Sequence, residues 1–200
     1  MAGEVQKIAK MLGDESAEKR HAAAVVLGEL KAKGPEVYKG LRGLLTSEIP
    51  ALEAAGARAL ERIGAKKALP DLFPLLTSRD RGVQSAATAA ILSCGEAVVT
   101  PVQKRYEDAG ADEKRALDTI LAELGGKDAY GTLLDGLLLD PDHAREAALK
   151  ARHHLKDASA TERRSYRSQI EKFIKRKDTQ AQPHSLAAAV KILAYLEDTK

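Results

Sequence analysis

The 200-residue chain has no tryptophan, one cysteine and only 4% aromatic residues. Because large rings are scarce, the core must be built from Ala, Leu, Ile and Val, and this composition favours closely packed helices. A single cysteine, Cys94, excludes an internal disulfide and suits a reducing compartment. No run approaches the ~18 apolar residues of a membrane span, and the first residues lack the apolar core of a signal peptide. We therefore expect a cytoplasmic protein with no membrane insertion.

What the sequence does contain is an internal repeat. Six segments align without gaps, and successive copies start 33, 31, 30, 31 and 41 residues apart. A period of this size is typical of solenoids, in which each repeat buries its apolar face against its neighbours. One small residue fixed in a column indicates close helix packing, since a larger side chain would hold the backbones apart. The fourth position is Ala in every copy: Ala22, Ala55, Ala86, Ala116, Ala147 and Ala188.

Each copy predicts a pair of helices. Apolar or small residues at positions 1, 4, 5, 8, 9 and 12 of the aligned segment form the stripe of an amphipathic helix. A shorter helical segment precedes each copy. Gly64, Gly95 and Gly125 fall just past the second helix, where a residue with a left-handed backbone ends it. We predict six units over one array, at about residues 2–33, 34–66, 67–96, 97–127, 128–158 and 159–200.

The packing columns give expectations for individual side chains. Cys94 lies in the twelfth column, so we expect a buried, unreactive thiol. The longer last spacing predicts a long helix over 161–177 followed by a loop over 177–183. Six further residues are expected to be nearly fully buried: Ala55, Ala86, Ala116, Leu60, Ile63 and Leu124.

The segments "KRHAAAVVLGELK" and "LEAAGARALERIG", the latter followed by "ALPDLFPLL", resemble the short HEAT-like repeats of bacterial proteins. The resemblance covers essentially the whole chain. It implies a right-handed α-solenoid of about six HEAT-like helix pairs. It says little about function, because such repeats serve scaffolds, lyase subunits, nucleic-acid binders and a few enzymes.

The inventory of reactive side chains argues against catalysis. The HEAT-repeat deoxyhypusine hydroxylases carry His-Glu pairs for a di-iron centre, but none of the five histidines here is followed by Glu. The adjacent His153 and His154 point about 100° apart on a helix and do not converge on a metal. The HEAT-like DNA glycosylases have a Trp-lined cleft, which a chain without tryptophan cannot form. We expect solvent-facing histidines, no catalytic residues, no metal and no cofactor.

Basic residues concentrate in one segment, 143–177. It contains eleven Lys and Arg but four Asp and Glu, whereas the whole chain carries only +3. One interpretation is a solvated outer face, which is ordinary on packed helices; the other is a surface for an acidic partner. The candidate partner-binding residues are Arg145, Lys150, Arg152, His154, Arg164, Arg167, Lys172, Lys175 and Arg176.

The last helix, "SLAAAVKILAYLEDTK", is apolar over most of its circumference. A terminal solenoid helix normally has a polar outer face. We therefore expect that further repeats or a partner cover it, and of these alternatives we favour a fragment of a longer array over a homodimer.

Three functional hypotheses follow. The first is a non-catalytic protein–protein interaction scaffold whose protein partner has an acidic surface. The alternative is a nucleic-acid-binding solenoid using residues 143–177, and the third is a subunit like the bilin lyases, which contain repeats of this kind.

Overall fold

The computed structural model describes residues 2–156 and 158–198. The all-α prediction is confirmed there, because all the regular structure of these residues is helical. The chain divides into two compact units, the N-terminal unit (Met1–Val98) and the C-terminal unit (Val99–Lys200). No single helix of the described residues is long and apolar enough to span a membrane, although the bent pair Arg81–Leu92 and Gly95–Asp108 passes that test by length and composition.

Residues 2–98 of the N-terminal unit form six α-helices, and 3₁₀ turns lie at Lys66–Ala68, Phe73–Thr77 and Gly95–Val98. The α-helices are α1 (Ala2–Met11), α2 (Ala17–Glu29), α3 (Pro35–Leu45), α4 (Pro50–Ile63), α5 (Leu69–Leu72) and α6 (Arg81–Leu92).

In the described part of the C-terminal unit there are seven α-helices and one 3₁₀ turn, Gly136–Leu138. The helices are α7 (Val99–Asp108), α8 (Ala111–Leu124), α9 (Gly126–Asp135), α10 (Pro141–Lys156), α11 (Ala160–Ile174), α12 (Lys177–Gln180) and α13 (Pro183–Asp198).

Within each unit the helices stack in two layers. In the N-terminal unit α1, α3 and α5 form the first layer, and α2, α4 and α6 form the second. In the C-terminal unit α7, α9 and α11 form the first layer, and α8, α10 and α13 form the second. Each second-layer helix carries one aligned copy of the repeat, so α-solenoid stacking holds within each unit.

Local chemistry explains where the helices begin and end. Ser16 and Asp80 cap α2 and α6 by accepting the backbone N–H of the residue three positions on, which satisfies an otherwise free donor. Ser159 and Glu162 form a reciprocal capping box at α11. Gly64 (φ +110°), together with Gly95 (φ +60°) and Gly125 (φ +70°), has the positive φ expected after the second helix.

The close approach of second-layer helices is confirmed in the N-terminal unit. A Cβ added at Gly28 of α2 would lie 3.0 Å from the Cα of Ala59 in α4, so a larger residue here would require the two helices to move slightly apart. Ala55, Leu60 and Ile63 of α4 are at most 3% exposed. Ala86 of α6 is likewise buried.

Two burial predictions are wrong, because Ala116 and Leu124 of α8 are only half-buried. The fourth and twelfth columns are also poorly buried in α2, where Ala22 is exposed and Leu30 is 58% exposed. Both helices are the first second-layer helix of their unit, so no earlier helix of that unit covers these columns. Ala147 of α10 has an earlier second-layer helix beside it and is fully buried, whereas Ala188 of α13 is half-buried although α10 precedes it.

Two further expectations are corrected. Cys94 is half-buried rather than buried; it lies just after the end of α6 at Leu92. Its partial burial still raises the thiol pKa. The long helix predicted over 161–177 ends at Ile174, and the predicted loop contains the short helix α12, anchored by the buried Thr179.

Candidate partner-binding surface

The nine candidate residues do not form one cluster. They lie in the C-terminal unit, but Arg145, Lys150, Arg152 and His154 are on α10 in the second layer, whereas the other five are on or just after α11 in the first layer. The basic segment therefore supplies two separate groups of cations.

In the α10 group, Arg145 and Arg152 make no close ion pair with a described residue, whereas the Lys150 side chain is held by hydrogen bonds. Arg145 has a 78% exposed side chain and only a loose 3.6 Å contact with Asp142. The Arg152 guanidinium lies 4.4 Å from the centre of the Tyr195 ring, a cation–π geometry. Lys150 is largely covered and donates to Glu146 and to the Thr119 hydroxyl, each at 2.8 Å.

His154 is half-buried beside Tyr130, with the ring centroids 6.3 Å apart. Burial lowers its pKa, and the neighbouring His153 lowers the pKa further. A neutral, partly covered ring is a packing element rather than an exposed cation.

In the α11 group, Arg164, Lys172 and Lys175 are exposed, and no described carboxylate pairs with them. Arg167 bonds Glu197 at 3.1 Å, and Arg176 bonds Asp178 at 2.7 Å and also pairs with Asp135. The available cations of the two groups are therefore Arg145, Arg152, Arg164, Lys172 and Lys175.

The expectation of solvent-facing histidines is wrong for His143. Its side chain and that of Asp118 are fully buried, and the His143 Nε2 hydrogen-bonds Asp118 Oδ2. Burial raises the pKa of Asp118, while the hydrogen bond with His143 opposes that shift. The Tyr106 hydroxyl lies 3.5 Å from the same carboxylate oxygen.

A sequence signal for this pair exists but is weak. Asp118 occupies the sixth position of its copy, where the first two copies have Ala24 and Ala57. A Cβ at Gly136 would come within 2.5 Å of Asp118 Oδ2, so a glycine one helix later makes room for the carboxylate. No group of three or more metal-ligating side chains converges in the described part of the chain, and the pair links α8 to α10.

Comparison with known proteins agrees with the repeat architecture. A family model described as HEAT repeats matches residues 5–92. This part of the chain is similar to HEAT repeats. The match confirms the family resemblance for most of the N-terminal unit. The comparison with curated protein sequences gave no match.

Solved structures support the fold. An engineered protein is 16% identical with a TM-score of 0.51, covering 97% of this chain and 98% of its own. A second engineered protein is 19% identical with a TM-score of 0.50, covering 96% of this chain and 61% of its own. The complex of CpcE and CpcF of phycocyanin lyase from Nostoc sp. is 17% identical over 98% of this chain and 94% of that chain, but its TM-score is 0.48. That value supports no argument about function.

Proposed function

We propose that this HEAT-repeat chain is a non-catalytic scaffold that binds a protein partner with an acidic surface. The observation that carries the proposal is the set of exposed cations in the C-terminal unit. Arg145, Arg164, Lys172 and Lys175 are exposed. Among the described residues, their only ion pair is the loose contact of Arg145 with Asp142. Exposed cations unmatched by carboxylates attract an acidic surface and speed its association.

The arrangement favours a protein partner over nucleic acid. A single-strand binder needs aromatic faces on which bases stack. Tyr166 and Phe173, the aromatic residues of α11, are buried at 2% and 3% exposure. Binding of a duplex through phosphate contacts alone is the second candidate, and the experiment below separates the two.

The test compares the wild-type chain with a variant in which Arg145, Arg164, Lys172 and Lys175 are all changed to Glu. Each chain is used to recover partners from an extract of the source cell, with and without nuclease. We expect the variant to keep its helical circular dichroism and to lose the partner, and the wild-type chain to keep it after nuclease treatment. Recovery of the same partner by the variant contradicts the proposal, and loss after nuclease treatment favours the second candidate.

A further inference from the structure

A groove between α10 and α13 interrupts the close stacking of the second layer. The sixth column of the repeat is fully buried at Ala24, Ala57 and Asp118 and half-buried at Thr88, whereas Val190 of α13 is 49% exposed. The equivalent residue of α10 is Leu149, and it is 62% exposed although α13 packs beside it. The longest spacing between copies falls at this junction, and the two helices leave a groove of about 470 Å³ between them.

The two helices run side by side in the same direction. Near their first turns, the Nε2–H of His184 donates to the carbonyl of Leu139 at 2.9 Å. At their other ends, Arg152 of α10 lies over Tyr195 of α13. The groove therefore follows the helix axes.

Apolar side chains and cations together line the groove. The apolar part of the lining, called the floor here, consists of Ala144, Ala148, Leu149, Ala187, Ala188 and Ile192. Arg145 and Arg152 rise from α10 and Lys191 from α13. No Asp or Glu is among the described residues that line the groove, so the charge of its walls has one sign.

One cation is held in place before any partner arrives. The ring of Tyr195 restrains the guanidinium of Arg152, so less side-chain entropy is lost when a carboxylate binds it. Arg145 lies seven residues earlier on the same helix, a rise of roughly 10 Å. An extended peptide covers that distance in about three residues, which leaves Leu149 between the two cations.

We propose that this groove binds an acidic peptide segment of a protein partner, with carboxylates on both sides of one apolar side chain. The apolar side chain packs on Leu149 and the alanines of the floor, and the carboxylates meet Arg145, Arg152 and Lys191. This inference rests on the proposed function and assigns it to one of the two cation groups. Leu149 and Lys191 are not among the residues selected from the sequence.

The test uses the full chain and a labelled peptide with one leucine between two Asp-Glu pairs, followed by fluorescence anisotropy at low salt. We expect Leu149→Ser and Lys191→Glu each to weaken binding by about five- to tenfold, the loss expected when roughly 1 kcal/mol of contact is removed. Both side chains are exposed, so neither change disturbs the core. Lys104→Glu, an exposed charge reversal on α7 of the same unit, is the matched control and should change binding less than twofold.

Two further probes define the outcomes that overturn the inference. A peptide with serine in place of its leucine should bind about tenfold more weakly, since it lacks the apolar contact. Equal binding of the two peptides, or no binding of either by the wild-type chain, overturns it. So does tighter binding of a single-stranded oligonucleotide that is lost in Lys191→Glu.

The inference can fail separately from the proposed function. If Lys172→Glu and Lys175→Glu weaken peptide binding while Leu149→Ser and Lys191→Glu do not, the acidic partner uses α11 and the groove assignment is wrong. In that case the scaffold proposal stands. If the charge-reversed chain of the extract experiment still recovers its partner, the scaffold proposal itself has failed.

Discussion

The N-terminal and C-terminal units share one helix-pair plan, but they bury different chemistry. The second layer of the N-terminal unit meets through small and aliphatic residues, as at Gly28 and Ala59. Among the described residues, the four buried polar side chains, Asp118, His143, Thr179 and Ser185, all belong to the C-terminal unit. Apolar columns fit any neighbouring repeat, whereas a buried polar group needs one particular partner.

Surface charge does not separate the two units in the same way. Both pair some cations with carboxylates of neighbouring helices, as where Arg62 of α4 pairs with Glu29 of α2 and Arg167 of α11 with Glu197 of α13. Both also leave other cations exposed, such as Lys39 and Arg58 in the N-terminal unit. In the C-terminal unit Arg145, Lys172 and Lys191 remain exposed. Polar groups that fix the packing lie inside this unit, and the unmatched cations lie outside it, where a partner can reach them.

The largest effect is expected from the buried pair. His143→Ala leaves Asp118 buried without its hydrogen-bond partner, which should lower the free energy of unfolding by about 3–5 kcal/mol. Urea unfolding at neutral pH measures the loss. The double variant Asp118→Ala with His143→Ala should lose less than the sum of the two single changes, because the singles leave one group unpaired. An additive double variant would show that the pair does not couple α8 to α10.

A matched pair of leucines tests the apolar packing of the N-terminal unit. Leu60 is fully buried and Leu30 is 58% exposed, although both lie on second-layer helices. Leu60→Ala should cost about 2–5 kcal/mol, through lost burial and a residual cavity. Leu30→Ala should stay within about 0.5 kcal/mol. Similar losses for the two variants would mean that something covers Leu30 in solution.

The repeat columns predicted the helices and most of the packing, because periodicity follows directly from burial of one helix face. They failed where the burial of a column depends on an earlier second-layer helix of the same unit, as at Ala116 and Leu124. The cations of the candidate surface were found from composition, but their availability was not, since the ion pairs of Arg167 and Arg176 join residues 30 and 41 positions apart. The pairing of Asp118 with His143 could not be predicted either, because it joins residues of two different repeat copies.

The rate at which a disulfide reagent labels a thiol distinguishes a half-buried from a fully buried site. Cys94 is half-buried and its pKa is raised by burial, so a disulfide reagent should label it several-fold more slowly than a free thiol. In a chain carrying Cys94→Ala and Thr179→Cys, the new thiol occupies a fully buried site of the C-terminal unit. It should react far more slowly still, at the rate of unfolding or local opening. Equal rates for the two thiols would contradict the burial assigned to Thr179.

The smallest effect is a pH dependence in the C-terminal unit. Burial beside Tyr130 lowers the pKa of His154 below the ordinary histidine value of 6.5. The folded state then binds fewer protons than the unfolded state just below pH 6.5, so His154 contributes stability above that pH and loses it as pH falls through its lowered pKa. His154→Gln should flatten the slope of unfolding free energy against pH between about pH 5 and 7, measured by urea unfolding. His21→Gln, on an exposed position of the N-terminal unit, is the control and should leave the slope as it is. An unchanged slope in His154→Gln would show that the ring is protonated as readily in the folded chain as in the unfolded one. His154 would then again be a candidate cation of the partner-binding surface.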